Sequence, residues 1–396
     1  MSNMEKSQTQ TPMPAWITWL LAIACGLIVA NIYYAQPLIG PISASLHLSP
    51  QAAGVIVTMT QVGYGLGLLF LVPLGDLFEN RRLILSILTL DIVALLAAGL
   101  AVQPTLFLGA ALLIGFGSVA VQILVPYAVH LSPEALRGRA VGNVMSGLML
   151  GIMLARPVAS LVTQVSSWHV IFLASAVVMV VLGLVLRRAL PQRVPTPRPR
   201  YRELLASMWH LALTTPVLRR RALYQACLFA SFSVFWTVTP LWLASPAFGL
   251  SQGGIAIFAL LGVAGAIAAP LAGRMADRGW TRAGTFTAII AVGSAFVLTR
   301  IGTPHASLAM LVLSAFVIDF GVSANLVLGQ RAIFSLHAGH RSRLNGLFMA
   351  TFFLGGATGS ALGGWAYARG GWSLASWIGV ALAGVALLYF LTERRR

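Results

Sequence analysis

The sequence predicts an all-α polytopic membrane protein, with twelve transmembrane helices in two six-helix bundles related as a parallel repeat. Three observations predict it. Of 396 residues, 58% are hydrophobic and 9% charged, whereas a soluble domain carries about 25% charged residues. Apolar runs of the length needed to cross hydrocarbon, about 20 residues, recur along the whole chain. Basic connections alternate with nearly uncharged ones, which is the positive-inside pattern.

In order, hydropathy places helices near 15–38, 51–73, 83–102, 105–130, 139–163 and 169–187. A second set follows near 217–243, 252–273, 283–300, 306–333, 344–368 and 372–391. The first polar stretch, 1–14, is a cytoplasmic tail without a cleavable signal. The bundles occupy 15–187 and 217–391, a cytoplasmic linker 188–216, and a basic cytoplasmic tail 392–396. Connections after the even-numbered helices hold Arg81 and Arg82, Arg137 and Arg139, a large basic cluster, Arg278 and Arg282, and Arg341 and Arg343. PISASLHLSPQ, VQPT and VSSWH, on the other side, carry no Lys or Arg. Both termini are therefore expected in the cytoplasm of a cell with this protein in its cytoplasmic (inner) membrane. The net charge of +17 orients loops and touches anionic headgroups; so distributed, it does not read nucleic acid.

The two sets look like copies. Cys25 and Cys227 differ by 202 positions, Pro37 and Pro240 by 203, and Asp76 and Asp277 by 201. RGRAVGNVMSGLMLG at 137–151 matches RSRLNGLFMATFFLG at 341–355 at an offset of 204. An even number of spans per copy keeps the copies in one orientation, a repeat about the membrane normal. Within the linker, the Pro/Arg-rich start is extended, and Tyr201 to Leu213 can lie as an amphipathic helix on the inner leaflet. Cys25 and Cys227 fall in apolar spans and read as small apolar residues.

Several polar groups sit where lipid would be expected. In NIYYAQPLIG, helical periodicity places Leu27, Asn31, Tyr34 and Leu38 on one face, with Tyr33 and Gln36 beside it. FWTVTP at 235–240 corresponds in the second copy, Trp236 matching Tyr33 and Thr239 matching Gln36. An interfacial aromatic belt is one reading. Amides do not belong in lipid, which favours a wet cavity lined by Asn31, Tyr34, Gln36, Trp236 and Thr239. Gln61, Tyr64, Ser118, Gln122 and Ser323 are further candidates. Asp319 lies mid-span in LSAFVIDFGVSANLVLGQRA. A carboxyl in low dielectric favours its protonated form, so Asp319 is the candidate for proton coupling; the rival is a structural carboxylate held by Arg331 or a helix partner. An intramembrane Arg is costly and normally paired; Arg156 is matched by depth with Asp91, a buried charge pair. Gly142, Gly147 and Gly151 allow close backbone approach.

PLGDLFENRR at 73–82 and GRMADRGWTR at 273–282 resemble the signature after the second and eighth helices of the major facilitator superfamily. The second copy keeps Gly273, Asp277, Arg278 and Arg282; the first keeps Leu74, Asp76 and Arg81 but has Val72, Leu77 and Glu79 where the signature has Gly, Arg and Gly. NIYYAQPL, LGIMLARP and DFGVSANLVLGQRAIF also resemble bacterial efflux-type permeases. The resemblance implies a cavity lined by the first, seventh and tenth helices. It implies cytoplasmic gating contacts in which Asp76 meets the eleventh helix near Arg341 and Arg343, and Asp277 meets the fifth near Arg137 and Arg139. A carboxylate at a helix N-terminus is stabilised there by about 0.3–1 kcal/mol. The antiporter signature ends in Gly-Pro, whereas here Arg156 precedes Pro157. The mid-helix Arg of many related drug–proton antiporters is replaced by Ala111.

The function expected is secondary active transport by alternating access: proton-coupled efflux of a small neutral or amphiphilic organic solute. A uniporter or symporter for a small metabolite such as a sugar is the alternative, and a membrane-embedded enzyme or receptor the remote one. The spans hold no paired acids, His/Glu metal cluster or nucleophile–base spacing. No cofactor is expected, and with no P-loop the energy comes from a gradient. The expected partners are the solute, protons and membrane lipid, for a monomer.

Overall fold

A computed structural model describes residues 15–132, 137–195, 200–300, 307–336 and 340–393, and every regular element among them is helical. The expected tails 1–14 and Arg394 to Arg396 and the side chain of Arg137 lie outside the described residues.

The first span is not one helix. Helix α1 (Ala15–Ala30) stops at Asn31, and tight turns lead to α2 (Ile39–Ser45). In that interval amides reach carbonyls three residues back, Tyr33 to Ala30 at 2.9 Å and Leu38 to Ala35 at 3.1 Å. Pro37 supplies no N–H and disfavours helix at Gln36, so the expected face of Leu27, Asn31, Tyr34 and Leu38 is dissolved. Then follow α3 (Val55–Phe70), α4 (Asn80–Gly99), α5 (Pro104–Ser118), α6 (Ala120–Leu131), α7 (Arg137–Val165) and α8 (Trp168–Ala189). Helices α5 and α6 form one span bent at Val119. Glu79, where the family signature has Gly, caps α4 by accepting from the amides of Arg81 and Arg82 at 2.8 and 2.9 Å; a cap of this kind contributes about 1 kcal/mol.

Linker helix α9 (Tyr201–Thr214) buries Leu204, Met208 and Leu211 and exposes Trp209 and Leu213. It ties the copies together: the Tyr201 hydroxyl donates to the Phe70 carbonyl at 3.0 Å, and Arg343 donates to Ser207 at 2.8 Å. The second copy comprises α10 (Pro216–Ala244), α11 (Gln252–Ala259), α12 (Ala264–Asp277), α13 (Thr281–Leu298), α14 (Leu308–Phe334) and α15 (Arg341–Leu391). Helices α11 and α12 meet at a 3₁₀ turn, Leu260–Val263, so the eighth span is also interrupted. Gly371, at φ 57 and ψ −155, breaks the 51 residues of α15. That conformation belongs to glycine, and the two arms of α15 are two spans. Among the described residues ten helices are long and apolar enough to cross a membrane, α15 counting once, and Trp16–Ala30 is a shorter apolar helix.

Small residues set the packing. A Cβ on Gly26 of α1 would stand 2.6 Å from the Gly147 carbonyl of α7, and one on Gly151 would overlap Gly26 itself. The second copy repeats the device, Gly355 and Gly359 of α15 lying on Ala226 and Ala230 of α10. Gly142 meets nothing, so its place in the expected glycine stripe carries no contact. The copies meet along α3 and α15, where Thr58 and Ser360 hydroxyls are 2.9 Å apart and Tyr64 lies on Phe353 with ring centroids 4.3 Å apart. They meet again where α7 packs on α11 and the 260–263 turn, and the Gly253 amide donates to Gln164 at 2.8 Å. The face carrying α9 is called the linker face below, and the opposite one the far face.

Two sets of expected charge contacts are not made. Arg156 and Asp91 do not pair: Asp91 is held by Asn31, and Arg156 by Gln36. The reason is the break in the first span, which puts residues 31 and 36 of one short segment beside different partners. Nor do the gating contacts form among the described residues. Asp277 pairs with Arg331 at 3.4 Å, because α12 packs on α13 and α14 rather than on α7. Arg341 donates to the Phe334 carbonyl and Arg81 to the Leu190 carbonyl, each at 3.0 Å. Arg278 and Arg282 lie over the rings of Trp280 and Phe390, and Asp76 joins no ion pair with Arg341 or Arg343.

Candidate functional site

Two interrupted spans, the first at 31–38 and the eighth at 260–263, flank the fifth span at Arg156. Unwound segments of this kind in a helical membrane protein sit where backbone is buried in protein or lines a cavity. Arg156 is 3% exposed. Its Nε donates to Gln36 Oε1 at 2.6 Å, and its guanidinium lies 4.4 Å from the ring centroid of Trp236, with Tyr33 at 5.2 Å and Phe232 at 5.3 Å. A cation on aromatic faces gains about 0.5–2 kcal/mol as it is desolvated. That is less than burial of the ion costs, so the site is electrostatically incomplete.

The opposite charge comes from the other copy. Asp319 of α14 is 4% exposed, and its Oδ1 accepts from the Trp236 indole N–H at 3.2 Å. Gly262 lies between the charges: a Cβ there would stand 3.2 Å from Arg156 Nη1 and 3.7 Å from Asp319 Oδ2. Arg156 and Asp319 form no ion pair among the described residues. Arg156 Nη2, Asp319 Oδ2 and Gln36 Nε2 are buried without a hydrogen-bond partner. Beside Arg156 and Gln36 is a void of about 10 Å³, bordered also by Trp236 and Phe258 and not by Asp319. It has room for about one water, so the site is occluded in this structure.

The other candidates lie in several separate places. Asn31 and Tyr34 belong to the interior of the first bundle, not to the space between bundles: Asn31 Nδ2 donates to Asp91 Oδ2 at 2.8 Å, and Ser175 donates to Asn31 Oδ1 at 2.6 Å. Tyr34 is buried beside them. Gln61 spans the copies, donating to Ser233 at 3.3 Å, while Gln122 donates to the Tyr64 hydroxyl at 2.9 Å. Thr239 is wholly buried with an unpartnered hydroxyl, and Ser323 packs against Gly265. Ser118 bonds its own helix through the Ile114 carbonyl. Asn31, Gln36 and Trp236 are each under 5% exposed, so the belt reading fails for them.

Sequence reasoning missed Phe232 and Gly262, which carry no local signal. It also missed Gln225, whose amide accepts from Asn325 at 2.7 Å and donates to the Val322 carbonyl at 3.2 Å; an amide within an apolar span was the available signal.

Two helical bundles, duplicated in sequence, with interrupted spans around buried unpaired charges at their junction, define a polytopic membrane transporter. The comparisons agree. The family model of the Major Facilitator Superfamily matches residues 19–318 and 264–396, and the chain belongs to that family. It is 40% identical over 374 residues to the putative uncharacterized transporter YgaY of Escherichia coli K12, covering 94% of this chain and 93% of that one. It is 31% identical over 365 residues to a probable transporter of Streptomyces coelicolor, covering 89% and 82%. In fold it is similar to a mutant of the nucleoside transporter NupG, at TM-score 0.75 and 15% identity over 94% of this chain and 99% of that one. Homologues and family are transporters and not enzymes.

Proposed function

We propose that this chain is a proton-coupled exporter of a small amphiphilic organic solute, working as a monomer in the bacterial inner membrane with its linker face in the cytoplasm. The orientation is supported by the basic connections on that face. The direction is supported by the resemblance of NIYYAQPL, LGIMLARP and DFGVSANLVLGQRAIF to efflux-type permeases. The observation that carries the coupling is Asp319: buried, hydrogen-bonded on one oxygen by Trp236, bare on the other, and opposite an arginine of the other copy. Ionised, it attracts Arg156 across the junction; protonated, it releases that attraction. Bundle approach and proton occupancy are thereby linked, which alternating access requires. Closure of the linker face would carry Asp277 toward Arg137 and Arg139, and Asp76 toward Arg341 and Arg343, exchanging the contact with Arg331 for contacts across the junction.

The test is a solute screen in proteoliposomes with and without an imposed pH gradient, on wild type and Asp319→Asn. The expected result is gradient-driven flux in the wild type and loss of gradient-driven accumulation in the variant. Flux indifferent to both the gradient and the substitution would return the protein to the uniporter reading.

A further inference from the structure

The charges at the junction face each other without meeting. Arg156 Nη2 and Asp319 Oδ2 are both buried and unpartnered, and residue 262, which lacks a side chain because it is glycine, lies between Arg156 Nη1 and Asp319 Oδ2. Trp236 holds them apart, its face against the guanidinium and its N–H on the carboxylate. Gln36 fixes the arginine from the side and keeps its own Nε2 free. Removing ions from water costs several kcal/mol each unless the charges are compensated. Opposite ions that stop short of each other leave a place for a ligand carrying both signs in the reverse order.

We propose that this junction binds a zwitterionic amino acid with an apolar side chain, its carboxylate on Arg156 and Gln36 and its ammonium on Asp319. The void on the Arg156 and Gln36 side has an apolar wall that suits the side chain: Pro37, Pro240, Leu243, Ile255, Phe258 and Ala259. The inference rests on the export reading above, and electrostatics connects the two. A ligand ammonium and a proton compete for the one bare oxygen of Asp319, so each drives the other off, and that is exchange. A simple anion on Arg156 would draw a proton onto Asp319 and travel with it, giving co-transport. A neutral solute would leave both charges uncompensated. The void of about 10 Å³ requires the interrupted segments at 31–38 and 260–263 to give way as the ligand enters.

The experiment measures ligand-induced thermal stabilisation of the full-length protein in nanodiscs. The probes are L-leucine, L-phenylalanine and L-methionine against N-acetyl-L-leucine, which lacks the cation, and L-leucine methyl ester, which lacks the anion. The expected result is stabilisation by the free amino acids, at least tenfold weaker binding of either derivative, and loss of stabilisation in Gly262→Val, which fills the gap and keeps both charges. Arg156→Gln is expected to lose the preference for leucine over its methyl ester. Equal binding of the acetylated compound or of the ester would overturn the proposal, as would no binding of any amino acid. The wild-type comparisons need no variant to fold. Amino-acid binding with flux blind to a pH gradient would sink the export reading alone. Gradient-driven, Asp319-dependent flux of some other solute without amino-acid binding would sink this inference alone.

Discussion

Asn31 shows how one amide governs the interior of the first bundle. It donates to a carboxylate on α4 and accepts from a hydroxyl on α8, so its removal strands both. A buried polar group left unpaired costs about 1–3 kcal/mol. Asn31→Leu is therefore expected to lower thermal stability by about that amount, read by unfolding of the purified protein in detergent, while Ser175→Ala, which strands only one acceptor, costs less. Equal melting of Asn31→Leu and wild type would show that the network carries no stability. The presence of a polar group at this depth was legible in the sequence; its direction was not. Periodicity assumed a helix through residue 38, whereas the turns at 31–38 leave Asn31 on Asp91 and Ser175 and Gln36 on Arg156.

At the scale of elements, the two interrupted spans and the two glycine seams have opposite jobs. The seams between α1 and α7 and between α10 and α15 are rigid, since a single methyl has no room. Gly151→Ala is expected to destabilise the protein by more than 2 kcal/mol, within the range of about 1–3 or more for overpacking, whereas Gly142→Ala, inside the helix with open space around it, is expected to be neutral or to stabilise by up to about 1 kcal/mol. Destabilisation by both alike would mean that crowding at the seam does not set the effect, since helix propensity favours Ala over Gly at both positions. Their spacing along the fifth span made these glycines visible. It did not show that Gly147 and Gly151 press on α1 while Gly142 is idle, because close approach depends on how two helices cross.

For the whole molecule, the far face is closed where Gln164 meets the Gly253 amide, and the linker face is tied by α9 through Tyr201 and Ser207. Alternating access requires the far-face contact to open. Joining Gln164→Cys to Gly253→Cys with a short, reducible thiol reagent, with Cys25 and Cys227 replaced by Ser, is expected to stop flux, and reduction to restore it. Continued flux through the cross-linked protein would mean that α7 and α11 stay together throughout the cycle. At this scale the expected gating ion pairs could not be placed from sequence, because an Asp and an Arg in matching loops meet only in one arrangement of the bundles; here Asp277 turns to Arg331 of its own copy.

The sequence alone determined the class of solvent around this chain, the apolar spans, the duplication and the depth at which polar groups are kept. These follow from hydropathy and spacing, which are properties of neighbours along the chain. The tertiary structure alone decided which of those groups meet. Asn31 finds Asp91 60 residues away, Arg156 finds Gln36 120 residues away, and Trp236 finds Asp319 83 residues away. Such pairings are set by helix crossings, by the turns that interrupt the first span at 31–38 and by a glycine that leaves space at 262. Low dielectric makes each pairing consequential, because a buried charge must be answered by whichever side chain the fold brings to it.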